Sequence, residues 1–333
     1  MSFVTSIHNI DKIKSDFDEV CDFLQELLDT IGKKTSVKAT KLYKYKKQLD
    51  NITNENIEDY AKTLKTLHVI QRYNHIVLTI KNNRNHFKFK EKSLLKIIDG
   101  TSEIDDLKDK SNHTLFELEM AVRFFYLSKN SGNSVKINLS DTGCDVIFDD
   151  FFAIECKYIE SEKNMLNNIK RAISQAKNRV TNGEAKYGLI ALDFSNIIDI
   201  KKIDEFFQCM FSDFYNKMKY ISKNPYVSEI TNGNIELLVV ENDHLKKIIK
   251  NFIASELEYY FYKNTSKDIL NDLGSDMKVI ALIYQSKNIF LFQSENTLTP
   301  ISNRDLGYFI CDTLPKEAYD LLEKFIHGLA TGT

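Results

Sequence analysis

Three charged side chains, Asp145, Glu155 and Lys157, interrupt the otherwise strand-like stretch GCDVIFDDFFAIECKYI at residues 143–159. Residues 144–148 (from Cys144) and 151–158 are rich in β-branched and aromatic types. Asp149 and Asp150 between them supply a tight turn, so the spacing predicts a β-hairpin. Alternation across a strand puts Glu155 and Lys157 on one face and Ile154, Cys156 and Tyr158 on the other. The apolar face belongs to the core, and the charged face must line something else. Burying a charge without compensation costs on the order of several kcal/mol. The three groups must therefore neutralise one another, meet a cation, or reach water at a cleft. Two carboxylates and an amine suit a hard divalent ion, Mg²⁺ with Mn²⁺ as a substitute, and the chemistry they imply is metal-assisted phosphodiester hydrolysis.

Asp145, nine intervening residues, then Glu155, Cys156 and Lys157 resemble the motif of the PD-(D/E)XK nuclease superfamily, which includes many restriction endonucleases and phage-defence nucleases. The resemblance covers roughly residues 113–194, about a quarter of the chain. It implies an α/β fold with a restriction-endonuclease-like core in the order helix, three strands, helix, strand. It also implies that Asp145 and Glu155 hold Mg²⁺, that the backbone carbonyl of Cys156 adds a ligand, and that Lys157 serves catalysis. Cys144 stands where the family often has proline.

The flanking elements fit that order. In residues 115–129, Leu118, Ala121, Val122 and Phe125 recur at helical spacing. Glu117, four residues before Ala121, is similar to the acid that the family's first helix turns toward the metal, and Glu119 is the rival. After the hairpin a helix from about Glu162 to Val180 carries Gln175. This residue resembles a glutamine that several branches place near the active site; its other reading is a solvent-facing polar residue one turn after Arg171. Val135–Leu139 and Tyr187–Phe194 supply the first and fourth strands.

The first hundred or so residues read as helices: 16–31, stopped by Gly32, a long one from Thr53 to about Lys81, and a short one near Leu94–Ile98. His68 and His75 on the long helix are expected at core or interfacial positions. The acidic stretch 103–110 reads as a linker, giving a helical module over 1–110 and a nuclease domain over 111–333 with its core at 113–194. Beyond that core the pattern predicts a helix over 203–222, a strand over 235–241, and a helix over 244–262 with Ile248 among its inward residues. Strands at 278–284 and 288–293 and a terminal helix after Pro315 complete these α/β additions.

A formal charge of −2 conceals local imbalance. Lys33, Lys34, Lys38, Lys41, Lys44, Lys46 and Lys47 fall in one acid-free run with Tyr43 and Tyr45, and Arg84, Lys88 and Lys90 form a second basic cluster with Phe87 and Phe89. Such patches neutralise phosphates and stack on bases, or else form a solvated face. No helix-turn-helix or zinc-finger signature decides whether the module grips nucleic acid, pairs with a second copy, or docks a defence-system partner.

Cys21, Cys144, Cys156, Cys209 and Cys311 show no CxxC spacing, which suggests a reducing compartment and no zinc site. Charges from Asp11 onward come too early for a signal-peptide core, and no apolar run approaches the ~20 residues that span a bilayer. A cytoplasmic protein without a membrane segment is expected. Gly32 to Thr35 lacks the leading glycine and strand of a P-loop, and nucleophile-elbow, HExxH and dinucleotide fingerprints are absent. The expectation is a Mg²⁺-dependent endonuclease, with double-stranded DNA preferred. Its alternatives are a noncatalytic nucleic-acid-binding or assembly subunit with the same fold, and an RNA-cleaving effector. None of the six arginines precedes a histidine at the spacing of helical ribonucleases.

Overall fold

In the computed structural model, eight strands form one mixed sheet with helices on both faces. The structure describes residues 2–3, 10–51, 57–101, 103, 109–130, 135–139, 145–224, 235–273, 276–294, 298–311 and 314–331. In chain order, β1 (Ser2–Phe3) precedes helices α1 (Ile10–Thr30), α2 (Lys41–Asp50) and α3 (Ile57–Asn82). Then come β2 (Phe87–Phe89), α4 (Glu91–Leu94) with a 3-10 turn over Leu95–Ile98, α5 (Ser111–Asn130), β3 (Ile137–Leu139), β4 (Val146–Phe148) and β5 (Phe152–Tyr158). The chain continues through α6 (Glu162–Thr181), β6 (Tyr187–Asp193), α7 (Ile200–Ile221), α8 (Ile235–Glu241), α9 (Asp243–Asn264) and α10 (Lys267–Asp272). It ends with β7 (Val279–Gln293), β8 (Leu298–Ile310) and α11 (Lys316–Thr331).

The sheet runs β1-β8-β7-β6-β5-β4-β3-β2. Strands β3, β4 and β5 are mutually antiparallel, β6 lies parallel to β5, and β7 lies parallel to β6. Every residue of β6 is buried, as expected of a central strand covered on both sides. Gly188 lets α6 approach it, because a Cβ there would stand 3.0 Å from that of Ala176. The hairpin turn holds Asp149 and Asp150 at φ 51° and 53°, a conformation that aspartate tolerates better than most residues.

One apolar core fills the side of the sheet covered by α1, α2, α3, α5 and α11, and a second fills the side covered by α6, α7, α8 and α9. The first runs without interruption from Phe17 and Leu24 through Phe116 and Phe124 to Phe152, so residues before and after 110 share it. The long helices anticipated here form, with α1 starting earlier than 16, while the short one expected at Leu94–Ile98 is instead the end of α4 followed by a 3-10 turn. Gly32, at φ 67°, ends α1 in a left-handed turn in which the Lys33 N–H donates to the Leu28 carbonyl. Thr53 and Cys144 lie outside the described residues.

Several C-terminal expectations need correction. Residues 235–241 form α8 and not a strand; β-branched composition is overridden by burial of Val239 and Val240 in the core shared with α7. The strands expected at 278–284 and 288–293 are one continuous β7 of 15 residues. It pairs along its length with β8, which the sequence pattern does not reveal. Ile248 is exposed rather than inward.

Asp109, expected in a linker, is buried. Its carboxylate accepts from Lys41 Nζ at 2.9 Å and from the Ser111 backbone N–H at 2.9 Å, tying α2 to the start of α5. The Lys41 ammonium also bonds the Ser111 hydroxyl. Gly100, at φ 99°, packs directly on that carboxylate. Replacing Gly100 with alanine would drive a methyl group into Asp109 and strain the backbone. Because disrupting a buried ion pair costs about 3–5 kcal/mol, we expect Gly100→Ala to lower unfolding free energy by about 2–4 kcal/mol in urea titrations. An unchanged urea midpoint would show that this junction does not hold the helices together.

Candidate active site

Glu155 is the innermost group of the site, fully buried on β5 between β4 and β6. Its Oε1 accepts from Lys157 Nζ at 2.5 Å, the two side chains sharing one face of the strand as their spacing predicts. Its Oε2 is buried and has no hydrogen-bond partner among the described residues. Asp145, just before β4, holds one oxygen against the Cys156 backbone N–H at 2.7 Å, which fixes the acid beside the end of β5. Lys157 retains 21% side-chain exposure, so the site opens on its lysine side while Glu155 forms the floor.

Glu117 approaches from α5 and is half-buried. Burial and the Asp145 charge push its carboxyl up to about 8, with Lys96 and Lys157 opposing. The same two causes raise Glu155 to about 7. Burial also raises Asp145, against Lys157 and the Cys156 N–H. Burial disfavours the Lys157 ammonium, yet Asp145 and Glu155 outweigh it and its pKa rises. Three acids and one lysine thus sense one another across a small volume. Among the described residues, no three His, Cys, Asp or Glu side chains close on a single point as a complete metal cage.

Glu119, the rival to Glu117, points elsewhere. It is buried and accepts from Arg72 at 3.0 Å, and it also pairs with Arg123 and Lys287. Gln175 sits half-buried on α6 with its side-chain oxygen enclosed, one turn before Arg179, whose charge reaches Glu155. Sequence reasoning missed Arg179, Lys96 and His113. Lys96 acts electrostatically on both Glu117 and Asp145. The His113 ring bonds Glu160 at 3.0 Å, packs edge-on against Tyr158, and acts on Asp145.

The anticipated phosphate-binding lysines divide. Lys33, Lys34, Lys38, Lys44 and Lys47 are exposed, as are Arg84, Lys88 and Lys90. Lys41 is not available to phosphate, because it is buried against Asp109, and burial lowers its pKa. Lys46 is paired with Asp18. Tyr45 is buried against Tyr73 and presents no stacking face, whereas Tyr43 lies beneath the Lys47 ammonium at 5.0 Å. On α3, His68 is half-buried, but His75 is exposed and stacks on Tyr126 rather than entering the core. No helix among the described residues is long and apolar enough to cross a membrane.

Comparison with protein-family models, curated proteins and solved structures finds no match to this chain.

The donor set fits a hard divalent ion. Mg²⁺ takes one or two carboxylates and fills its remaining positions with carbonyls, water or phosphate, so it needs no complete side-chain cage. The partnerless oxygen of Glu155 is the atom such an ion would satisfy. A pH signature follows from the raised acids. An unfolded glutamate titrates near about 4.3, so at intermediate pH the folded site holds protons that the unfolded chain has released. That stability is complete below the unfolded pKa and is lost as pH rises through about 7 and about 8. In chelator, the melting temperature should therefore fall between pH 5.5 and 8.5. Glu117→Gln should flatten that fall, and Mg²⁺ should stabilise the wild type more at the higher pH. Equal pH slopes in wild type and Glu117→Gln would overturn the assignment of those protons.

Proposed function

We propose that this protein is a divalent-metal-dependent nuclease with a restriction-endonuclease-like catalytic core, double-stranded DNA its preferred substrate and restriction or phage defence its setting. The observation that carries the reading is Glu155, fully buried with one oxygen on Lys157 and the other without a hydrogen-bond partner among the described residues, beside a second acid fixed by the strand backbone. A buried carboxylate left half-satisfied is costly unless a ligand completes it. The order of elements adds support: α5, the antiparallel β3-β4-β5, α6, then β6 parallel to β5.

Asp145, Glu155 and the Cys156 carbonyl are the groups that would hold Mg²⁺ or Mn²⁺. When bound, such an ion polarises a scissile phosphate and lowers the pKa of coordinated water. Lys157 keeps its proton, because two acids raise its pKa, so it donates to a phosphate oxygen and stabilises charge developing there. With its pKa near 8, Glu117 carries a proton through much of the neutral range and supplies an outer carboxyl to the water network. Gln175 orients the nucleophile or a phosphate oxygen from α6. Lys96 adds positive potential on the α5 side, and the exposed lysines around α2 and β2 extend the basic surface to more distant phosphates.

The test is nicking of supercoiled plasmid by purified protein in Mg²⁺ or Mn²⁺, with chelator as the blank. Asp145→Asn, Glu155→Gln and Lys157→Ala should each slow nicking on the order of 10²–10³-fold while DNA retardation in gels persists. Full-rate cleavage by Glu155→Gln would overturn the proposal. Binding without any cleavage would leave the chain a noncatalytic nucleic-acid-binding subunit.

A further inference from the structure

Behind α5 from the acidic site lies a second charged cluster with the opposite balance. Arg72 of α3, Arg123 of α5 and Lys287 of β7 converge on the single carboxylate of Glu119. Lys287 stands directly opposite Arg304 in the β7–β8 register, so both project to the same side. Like charges facing one another across strands destabilise a sheet. One further acid takes part: Arg123 donates at 2.7 Å to Gln285, which donates at 3.0 Å to Asp193. Arg304 also donates at 2.8 Å to the Leu329 carbonyl, and among the described residues four basic side chains face two carboxylates at this junction, a surplus of two.

The surroundings register that excess. His68 is pushed down to about 4 by burial and by Lys287 and Arg72. Burial and the neighbouring guanidinium groups lower Lys287 well below an ordinary lysine, with contact to Glu119 working the other way. The cluster is reachable: Arg72 and Lys287 keep 25% and 23% side-chain exposure while Glu119 keeps 6%. Beside it a cleft of about 560 Å³ is lined by Gln71, Asn74, His75, Thr79, Asn83 and Tyr126.

We propose that the junction of α3, α5 and β7 binds a phosphate dianion, either free inorganic phosphate or the terminal phosphate of a nucleotide whose body enters the adjoining cleft. The match is one of charge and geometry. A phosphate monoester carries between −1.5 and −2 at neutral pH and presents several strong acceptor oxygens, and arginine offers donors in a planar fork suited to them. A single phosphodiester, with one charge, would leave the excess half uncompensated. This site does not depend on the nuclease reading and stands whether or not the protein cleaves DNA.

The experiment compares full-length protein in sodium phosphate, in a nucleoside monophosphate, in the parent nucleoside, and in chloride at matched ionic strength, by thermal unfolding and calorimetry at pH 7.5. Phosphate at a hundred times its dissociation constant should raise the melting temperature by about 4 °C. The nucleoside alone should not. Tighter binding of the monophosphate than of phosphate would identify a nucleotide as the source, and equal binding would identify free phosphate. Because the cluster is overcharged, Lys287→Met should leave the melting temperature in chloride unchanged or higher while abolishing the phosphate increment. Arg72→Gln, at the outer edge, should weaken phosphate binding at least tenfold. Identical melting in phosphate, monophosphate and chloride would overturn the site. So would a Lys287→Met protein destabilised in chloride as severely as Glu119→Gln, because Lys287 would then be an internal counterion and nothing more.

Discussion

A carboxylate at the floor of a β-sheet, with a lysine for one oxygen and no partner among the described residues for the other, is the constraint around which the centre of this protein is arranged. The sheet makes it unavoidable. Glu155 lies one residue past the last β4 pairing of β5, opposite Ile190 of the buried central strand β6, and its side chain is fully buried. The same backbone that confines Glu155 also positions its neighbour, because the N–H of the next residue, Cys156, holds Asp145. Burial raises the pKa of both acids, with the Asp145 charge adding to the rise at Glu155, and Lys157, drawn to them, is held charged. Strand alternation, sheet pairing and electrostatics therefore converge on one arrangement. An apolar substitution at position 155 would relieve the protein and remove what is distinctive about it.

The second charged region shows the same physics with its sign reversed. Glu117 and Glu119 are two residues apart on α5, yet one is crowded by acids and the other by bases. Two residues on a helix differ by roughly 200° in direction, which suffices to place them on different sides of the packing boundary. In each region part of the surplus charge is delivered by β-strands, Glu155 on one side and Lys287 and Arg304 on the other. Rigid, paired strands can hold like charges together where a loop would let them separate.

Much of the central architecture was legible because its signals are local. The hairpin announced itself through composition and a pair of turn aspartates, and α5 and α6 through apolar spacing. What stayed hidden depended on contacts distant in sequence. IELLVVE has strand composition, and only the core it meets makes it helical. Strand β8 is obscured by Pro300, Asn303, Arg304, Asp305 and Gly307, and Pro300 is tolerated because it lies at the start of the strand, beyond its pairing with β1. Lys41 looked like six neighbouring lysines, its distinguishing partner lying 68 residues away. Lys96 and His113 carried no signal because their roles arise only when the elements bearing them fold against β4 and β5. The choice between Glu117 and Glu119 likewise needed to know which face of the helix met which strand.

That α5 carries both glutamates has a mechanical consequence. A helix turns as a unit, and carboxylates held roughly 6 Å from its axis sweep about 1 Å for each 10° of rotation. Hydrogen-bond and ion-pair geometries change steeply over such a distance. A twist too small to disturb the apolar packing of Phe116, Met120 and Phe124 would thus register at once among the acids on one flank and the bases on the other, making α5 a torsion shaft between them.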